Sequence, residues 1–569
     1  MKRDPSGQAT YQRRLLVVTA GALALISGPL LAALFVTFLG STNTAVAAQY
    51  KQPNILRINL QGTLDSVDPA IAFQLSSAQL EFATCAKLVN YPDAPWTVDQ
   101  QPVPEVAAGP PTISADAKTY TFKLLTSFHF STASKETVTA QTFKHALERE
   151  LAPGVSSPAI NYVHDIVGAD EYHAGQASSI SGITVGKKKE LMIQLERPAG
   201  DFLTRLTLPL FCAVPLNAPP ANPDAVVASA GPYYVESFNR DGTTVLRRNP
   251  NYSGKRPRFF DAIVYQAHVP EATSEADIKA GSVDYAADGL PFDDYAEIGA
   301  DFGPGSPAAQ AGHQQFFVNP LLATRWVALN TSRPLFANVE LRKAVNYALD
   351  RPAMSAAAGA YGLSPTDQIL PPGMPGFRDY DLYPLGGPDL ATAQALATAS
   401  GQVPATAVLY AQDSPAGHHW AQVIQTDLAA IEIDVQPQFF PPSVLFPKLA
   451  TPGEPYDLAT PGWIDDYPDP FDFIDILLHG KNVPGAGGSD TNWSYFDDPT
   501  FNQRMDDASP LQPSARYDAY ASLDHDLMAD AAPWAPFANI NSRDFFSARI
   551  GCQTFTAPFG MDLAALCLR

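Results

Sequence analysis

The feature that most constrains the fold is a strand–helix–strand pattern between residues 405 and 439. Residues 405–411 and 433–439 each form an apolar run with the character of a strand, and residues 419–431 carry apolar side chains on one helical stripe. Two strands joined by a single helix run parallel, and a parallel sheet needs helices to cover its faces. The pattern therefore predicts an α/β protein with mixed sheets.

Other segments predict further elements of the same class. Residues 54–60 and 120–124 alternate as strands, and residues 231–238 and 243–248 form a hairpin around a turn at 239–242. Thr139 and Asn338 are suited to cap helices that begin at the next residue. A chain of 569 residues exceeds one compact core, so we expect two or three lobes.

The N-terminal region has the order of an export signal. Arg13 and Arg14 precede residues 15–39, which carry no charge, and a small-residue segment with Ala45 and Ala47 offers a cleavage site. At about 1.5 Å per residue, the roughly 25 uncharged residues are also long enough to span a bilayer core of about 30 Å. A cleaved signal and a retained membrane anchor both stay open, and either places the rest of the chain outside the membrane.

The charge and the cysteines limit the partners and the compartment. A net charge of −21 excludes nucleic acid as a partner, because phosphate binding needs a basic face. An even number of cysteines in an exported protein predicts disulfides. We favour the pairs Cys552–Cys567 and Cys85–Cys212, with buried free thiols as the alternative. No CxxC spacing supports a zinc site or thioredoxin-like chemistry.

The motifs of common enzymes are missing from the sequence. It contains no G-x-S-x-G nucleophile elbow, no H-E-x-x-H zinc motif and no G-x-x-x-x-G-K-[ST] phosphate loop. His418 and His419 are adjacent, so one helix cannot direct both at a metal ion. We therefore expect a protein that is not an enzyme and that needs no cofactor or metal, with a secreted hydrolase of scattered site as the alternative.

One segment concentrates polar and aromatic side chains after a predicted strand at residues 456–460. Its members are Trp463, Asp465, Asp466, Tyr467, Asp469, Phe471, Asp472 and Phe473. Ligands of α/β proteins bind at strand ends, where aromatic rings supply contact area and carboxylates hold a cation. Under the alternative interpretation, Asp469 and Asp472 cap the following helix. Tyr410 and Gln412, at the end of the strand 405–411, are further candidates for the cleft.

Several segments, taken in order, resemble one protein family. They are YTFKL at 120–124 with FHF at 128–130, GPYY at 231–234 with RNPNY at 248–252, NT at 330–331 with VELRKAVNYALDR at 339–351, GWIDDYPDP at 462–470 and FDDP at 496–499. Together they resemble the family-5 extracellular solute-binding proteins, the oligopeptide, dipeptide and nickel receptors of ATP-driven importers. Residues 131–135 depart from the family's turn.

The resemblance implies a periplasmic-binding-protein type II-like bilobal fold with an additional domain and a central ligand cleft. The expected boundaries are 1–48 for the signal peptide or anchor, 52–92, 223–322 and 536–569 for lobe I, 93–222 for the extra domain, and 323–535 for lobe II. Residues 323–330 would form part of the hinge between the lobes.

The resemblance also implies a function and a site. The protein would be an extracytoplasmic receptor that captures peptides and delivers them to an ABC permease and its ATPase. Asp466 matches the carboxylate that the peptide-binding relatives use for the ligand's α-amine. The other candidates for ligand contact, chosen for their place at predicted strand ends, are Trp463, Tyr467, Asp469, Tyr410 and Gln412. We expect a monomer. A receptor for an oligosaccharide, an opine-like molecule or a nickel complex, and a membrane-tethered sensor without transport, stay open as alternatives.

Overall fold

A computed structural model describes residues 54–96, 101–132, 134–186 and 189–569. The predicted export signal or anchor lies outside the described residues. Among the helices of the described part, none is long and apolar enough to cross a membrane.

The first sheet has five strands and combines the N-terminal strand with the predicted hairpin. Ile55–Asn59 lies between Tyr285–Ala286 and Ala262–Gln266 and runs parallel to both. Thr243–Arg248 and Tyr233–Ser237 complete the sheet as an antiparallel hairpin. The predictions of the first strand and of the hairpin are therefore confirmed.

The second sheet contains the strand–helix–strand unit. Ala405–Gln412 and Ile433–Phe440 pair in parallel, and the helix Pro415–Ala429 joins them, as predicted. The helix begins at Pro415 instead of His419, because the Ser414 hydroxyl accepts a hydrogen bond from Gly417 N–H and Pro415 occupies the first turn.

The remaining strands of this seven-stranded sheet come from four distant parts of the chain. They are Leu363–Pro365, Trp534–Phe545, Phe316–Leu329, Leu458–Ala459 and Gly462–Ile464. Together with the parallel unit, they make the sheet mixed, which confirms the α/β class.

A four-stranded antiparallel sheet forms a third layer with its own apolar core. Its order is Thr112–Ile113, Thr119–Lys123, Glu190–Gln194 and Ile183–Val185. The helix Ala140–Glu150 begins after Thr139, as predicted, through reciprocal hydrogen bonds between Thr139 and Thr142. Three two-stranded sheets are also present: Val89–Asn90 with Val103–Pro104, Ile550–Gly551 with Cys567–Leu568, and Phe555–Thr556 with Gly560–Met561.

Helices cover the sheets and connect them. The remaining α-helices are Leu75–Thr84, Ile160–Val163, Ala169–His173, Phe202–Arg205, Glu271–Ala280, Tyr295–Phe302, Pro307–Gln310, Val339–Ala348, Arg351–Ala356, Leu390–Ser400, Pro442–Leu449, Phe471–Leu478, Pro499–Ala508 and Pro513–Asp526. Short 3₁₀ turns occur at Pro209–Phe211, Phe292–Asp294 and Gly480–Asn482, and a π turn at Leu527–Ala531. Asn338 caps Val339–Ala348 as predicted, since its side chain accepts from the backbone N–H groups of Glu340 and Leu341.

Two long antiparallel strands, Phe316–Leu329 and Trp534–Phe545, connect separate cores. At one end, Phe316 and Phe545 pack in a core with Ala286 of the five-stranded sheet and with the helix Tyr295–Phe302. At the other end, Trp326 stacks on Trp534 with ring centroids 3.9 Å apart. The pairing is interrupted between Pro320 and Thr324. The interruption lies where the chain passes from one core to the next.

Both favoured disulfides are present in the structure. Cys85 pairs with Cys212 and joins the end of the helix Leu75–Thr84 to the turn Pro209–Phe211, with Cα atoms 5.3 Å apart. Cys552 pairs with Cys567 and closes a short C-terminal loop, with Cα atoms 5.4 Å apart.

Asp284 joins the two ends of the described chain. Its buried carboxylate forms ion pairs with Arg57 at 3.0 Å and Arg549 at 2.6 Å, and it accepts a hydrogen bond from the Ser547 hydroxyl at 3.0 Å. Burial alone would raise the pKa of Asp284, but the hydrogen bonds and charges of the two guanidinium groups outweigh it, so the pKa lies below its usual value. In its ionised form, the Asp284 carboxylate therefore holds the first strand to the C-terminal segment.

Replacement of Asp284 by asparagine should lower the free energy of unfolding by roughly 2–4 kcal/mol at pH 7, because a buried charge and its hydrogen bonds are lost. The pKa is lowered in the folded state, so the loss should shrink as the pH falls below about 4. Urea denaturation at both pH values measures the effect. Asp261→Asn is the control, because Asp261 pairs with Arg248 at 2.9 Å in an exposed position and should cost less than about 1 kcal/mol. Equal losses in the two variants would contradict the role of Asp284.

Candidate functional site

The polar segment at residues 463–472 begins on a short strand that pairs with the long strand Phe316–Leu329. Gly462–Ile464 pairs with Ala323, Thr324 and Arg325, and Asp465 N–H donates to the Leu322 carbonyl at 2.8 Å. The stretch of Phe316–Leu329 that pairs with this short strand lies where the pairing of the two long strands is interrupted. The segment then turns into the helix Phe471–Leu478.

A cavity of about 580 Å³ lies beside this segment. Trp463, Asp466, Tyr467 and Asp472 line one side. The opposite side comes from residues 161–165 and 197–205, which belong to the layer of the four-stranded sheet. The cavity therefore lies between the seven-stranded sheet's layer and the four-stranded sheet's layer.

The carboxylate of Asp466 lines the cavity and has no cationic partner among the described residues. Its side chain accepts a hydrogen bond from the Tyr162 hydroxyl, and no ion pair of Asp466 is found among the described residues. Burial raises the pKa of Asp466 to about 6, and the Tyr162 hydrogen bond only partly opposes this. An ionised Asp466 is thus costly in the ligand-free cavity and is suited to attract a cation.

Trp463 and Asp472 are held to each other and to Asp466. The Trp463 indole N–H donates to Asp472 Oδ2 at 3.0 Å, and Asp466 backbone N–H donates to the same oxygen at 2.9 Å. Burial, and next the neighbouring charge of Asp466, raise the pKa of Asp472. Asp472 thus fixes the indole that forms part of the cavity wall.

Tyr467 lines the cavity and also anchors the segment to the opposite layer. Its hydroxyl donates to Asp201 Oδ2 at 2.7 Å, and its ring meets the Tyr162 ring edge-on at 6.0 Å between centroids. Asp201 in turn lies 3.4 Å from Arg205. Only the ring of Tyr467 is therefore left to contact a ligand.

The structure does not bring the other three predicted site residues into this cavity. Asp469 is fully buried and forms an ion pair with Arg516 at 2.7 Å, and its Oδ1 accepts from Phe471 N–H at the start of the helix. Tyr410 is buried against Phe440 and donates to Glu454 Oε2 at 2.9 Å. Gln412 ends the strand Ala405–Gln412 and is partly buried outside the cavity lining.

Sequence reasoning missed the side chains that come from the opposite wall. Tyr162, Asp165, Asp201 and Arg205 line the cavity although they precede the motif by more than 250 residues. Their contacts depend on the packing of the two layers, so no local signal in the sequence could have identified them.

One group of potential metal ligands lies elsewhere among the described residues. Glu81, Cys85 and Cys212 place a ligand atom each within 4.8 Å of one another. The two cysteine sulfurs are bonded to each other, so neither is a free thiolate for a metal ion. This group is therefore part of the disulfide's surroundings.

The fold and the cavity define a class of protein: an α/β protein with layered sheets and a ligand-sized cavity between two of its layers. The model of the bacterial extracellular solute-binding proteins, family 5 (middle), matches residues 101–485. The chain belongs to this family, whose members are substrate-binding proteins. The resemblance of the sequence and the bilobal type II-like fold are thereby confirmed.

Individual relatives support the same assignment. The oligopeptide-binding protein OppA of Bacillus subtilis is 25% identical over 446 residues, which cover 74% of this chain and 77% of the relative. Periplasmic OppA of Escherichia coli is 23% identical over 466 residues, with coverage of 78% and 81%. Among solved structures, clavulanic acid biosynthesis oligopeptide binding protein 2 superposes with a TM-score of 0.76 at 22% identity, covering 90% of this chain and 95% of that one. The structural likeness extends over nearly the whole described chain.

Removal of the unpaired charge should stabilise the ligand-free protein. Because the pKa of Asp466 is about 6 in the folded state and 3.8 in the unfolded reference, ionisation costs stability as the pH rises from about 4 through 6. Asp466→Asn should therefore raise the free energy of unfolding by roughly 1–3 kcal/mol at pH 7.5 and change it little at pH 4. Urea denaturation of ligand-free protein at both pH values tests this.

The control for this experiment is Asp301→Asn, which changes an exposed carboxylate on the helix Tyr295–Phe302. It should leave stability unchanged within about 0.5 kcal/mol. A loss of stability in Asp466→Asn at pH 7.5 would contradict the unpaired state of Asp466.

Proposed function

We propose that the protein is an extracytoplasmic receptor that captures oligopeptides and delivers them to an ATP-driven importer. The observation that carries the proposal is the half-buried carboxylate of Asp466, which lines a cavity of about 580 Å³ with aromatic walls and forms no ion pair among the described residues. The names of the curated relatives, oligopeptide-binding proteins of two bacteria, support peptides as the ligand class.

In this proposal Asp466 holds the α-ammonium group of the bound peptide. A charge pair is stronger inside a closed cavity than in water, and the incoming ammonium removes the cost of the unpaired carboxylate. Tyr162 donates to the same carboxylate and fixes its position. The rings of Trp463 and Tyr467 supply apolar area without selecting one side chain, as a receptor for varied peptides requires.

The lobes move relative to each other about the two long strands. Lobe I comprises 52–92, 223–322 and 536–569, the extra domain 93–222, and lobe II 323–535. The interruption in pairing between Pro320 and Thr324 supports a hinge at this crossing, because fewer ladder hydrogen bonds resist bending there. Closure buries the peptide and creates the surface that the permease recognises.

The N-terminal segment at residues 15–39 directs export, and it either is cleaved or holds the receptor at the membrane. The protein acts as a monomer outside the cytoplasmic membrane and carries out no chemistry on its ligand. ATP hydrolysis belongs to the importer's own ATPase subunits.

Asp466→Asn should lower the affinity for a free tripeptide such as Ala-Ala-Ala by roughly 2–5 kcal/mol, because the ammonium loses its charged partner in a cavity with little water. Isothermal titration at pH 7.5 measures the change. The N-acetylated tripeptide should bind weakly to the wild type and should be affected much less by the substitution.

Asp469→Asn is unsuitable as a control because it breaks a buried ion pair, so Asp301→Asn serves again. If Asp466→Asn binds free and acetylated peptides as the wild type does, Asp466 does not hold the ammonium. A wild type that binds no peptide would overturn the proposed function and favour a non-peptide solute.

Ligand binding should also compact the protein. Closure about the crossing strands brings the lobes together, so the radius of gyration from small-angle X-ray scattering should fall when saturating peptide is added. Asp466→Asn at the same peptide concentration should stay in the form of the ligand-free protein. An unchanged radius in the wild type, with binding shown by titration, would contradict hinge closure.

A further inference from the structure

Three carboxylates meet near one end of the cavity, although a single ammonium needs only one. Asp465, Asp466 and Asp472 lie within eight residues of each other, and none forms an ion pair in the part of the chain that the structure describes. Two other buried carboxylates nearby are paired: Asp165 lies 3.0 Å from Arg205, and Asp469 lies 2.7 Å from Arg516. Asp475 also forms no ion pair among the described residues, but it accepts from the Tyr520 hydroxyl and does not line the cavity. Asp466 and Asp472 are thus carboxylates that line the cavity without an ion pair in the described part of the chain.

Asp472 has an oxygen left over for a ligand. Its side chain is 1% exposed and lines the cavity. Oδ2 accepts from the Trp463 indole and from Asp466 N–H, whereas Oδ1 accepts no hydrogen bond from any described residue. A buried carboxylate without a cationic partner is costly, and a cation in the cavity would remove that cost.

Asp465 precedes Asp466 in the chain and is not one of the residues that line the cavity. Its Oδ2 is buried and has no hydrogen-bond partner within the described residues. Burial, and then the charge of Asp466, raise the pKa of Asp465. Burial and the neighbouring carboxylates favour the protonated form of these groups, and a cation beside each of them would favour the ionised form.

The basic side chains that line the cavity do not pair with these carboxylates. Arg205 is committed to Asp165 and Asp201, and Arg197 and Lys481 are exposed to solvent. A peptide that offers only its α-ammonium to Asp466 would leave Asp472 buried and unpaired. A second positive group close to the first would pair both.

We infer that the cavity prefers peptides whose first residue has a basic side chain, with Asp466 holding the α-ammonium and Asp472 the side-chain cation. The inference rests on the proposed function and names a specificity-determining residue, Asp472, for it. Lysine meets the geometric need because both of its cations belong to one residue and its side chain is flexible. The same charge at the third residue of a peptide would not reach both carboxylates together.

The test compares Lys-Ala-Ala with norleucine-Ala-Ala, which has an uncharged first side chain of similar length. Isothermal titration at pH 7.5 should show that the wild type binds the lysine peptide at least about tenfold more tightly. In Asp472→Asn, which keeps the shape and the acceptor for the Trp463 indole, this preference should fall below about threefold.

Two controls isolate the position and the residue. Ala-Ala-Lys and Ala-Ala-norleucine should bind the wild type equally, and Asp301→Asn should keep the full preference for Lys-Ala-Ala. The comparison of peptide affinities in the wild type does not depend on the folding of any variant. Equal affinity of the wild type for both first-residue peptides, or an undiminished preference in Asp472→Asn, would overturn the inference and leave the proposed function standing. Failure of the wild type to bind any of the four peptides would overturn both.

Discussion

The site depends on the buried ion pair between Asp469 and Arg516. Both side chains are fully buried, and Arg516 also donates to the carbonyls of Ala508 and Ser509. A buried pair of this kind adds little net stability over an apolar core, but loss of one partner is expensive. The pair therefore fixes the path of residues 463–472 more than it stabilises the protein, and this path brings Asp466 and Asp472 to the cavity.

The long strands explain why a ligand at this cavity can influence the whole molecule. Gly462–Ile464 pairs with Phe316–Leu329 next to the interruption between Pro320 and Thr324, and Tyr467 reaches the opposite layer through Asp201. The cavity wall is thus connected to both the crossing strands and the four-stranded layer. In the proposed function, a ligand that contacts Asp466 acts at the point where these parts meet.

The carboxylates of the motif divide between structure and binding. Burial raises the pKa of all four carboxyl groups, but Asp469 is paired with Arg516, whereas Asp465, Asp466 and Asp472 form no ion pair among the described residues. In the proposed function, a cationic ligand removes the cost of these buried groups and returns that free energy as affinity. Within these eight residues, a carboxylate is structural where the fold supplies a cation, and it is left available to a ligand where the fold supplies none.

The sequence by itself determined the elements that depend on near neighbours. The parallel unit, the caps Thr139 and Asn338 and the motif around Asp466 can all be read from residues close together in the chain, because helical periodicity and capping act over about four residues. Tertiary structure decided which motif residues face the cavity. Arg516, 47 positions after Asp469, removes that carboxylate from the site, and Tyr162 on the opposite layer meets Asp466. Burial and ion pairing join segments far apart in the chain, and only the packed layers bring them together.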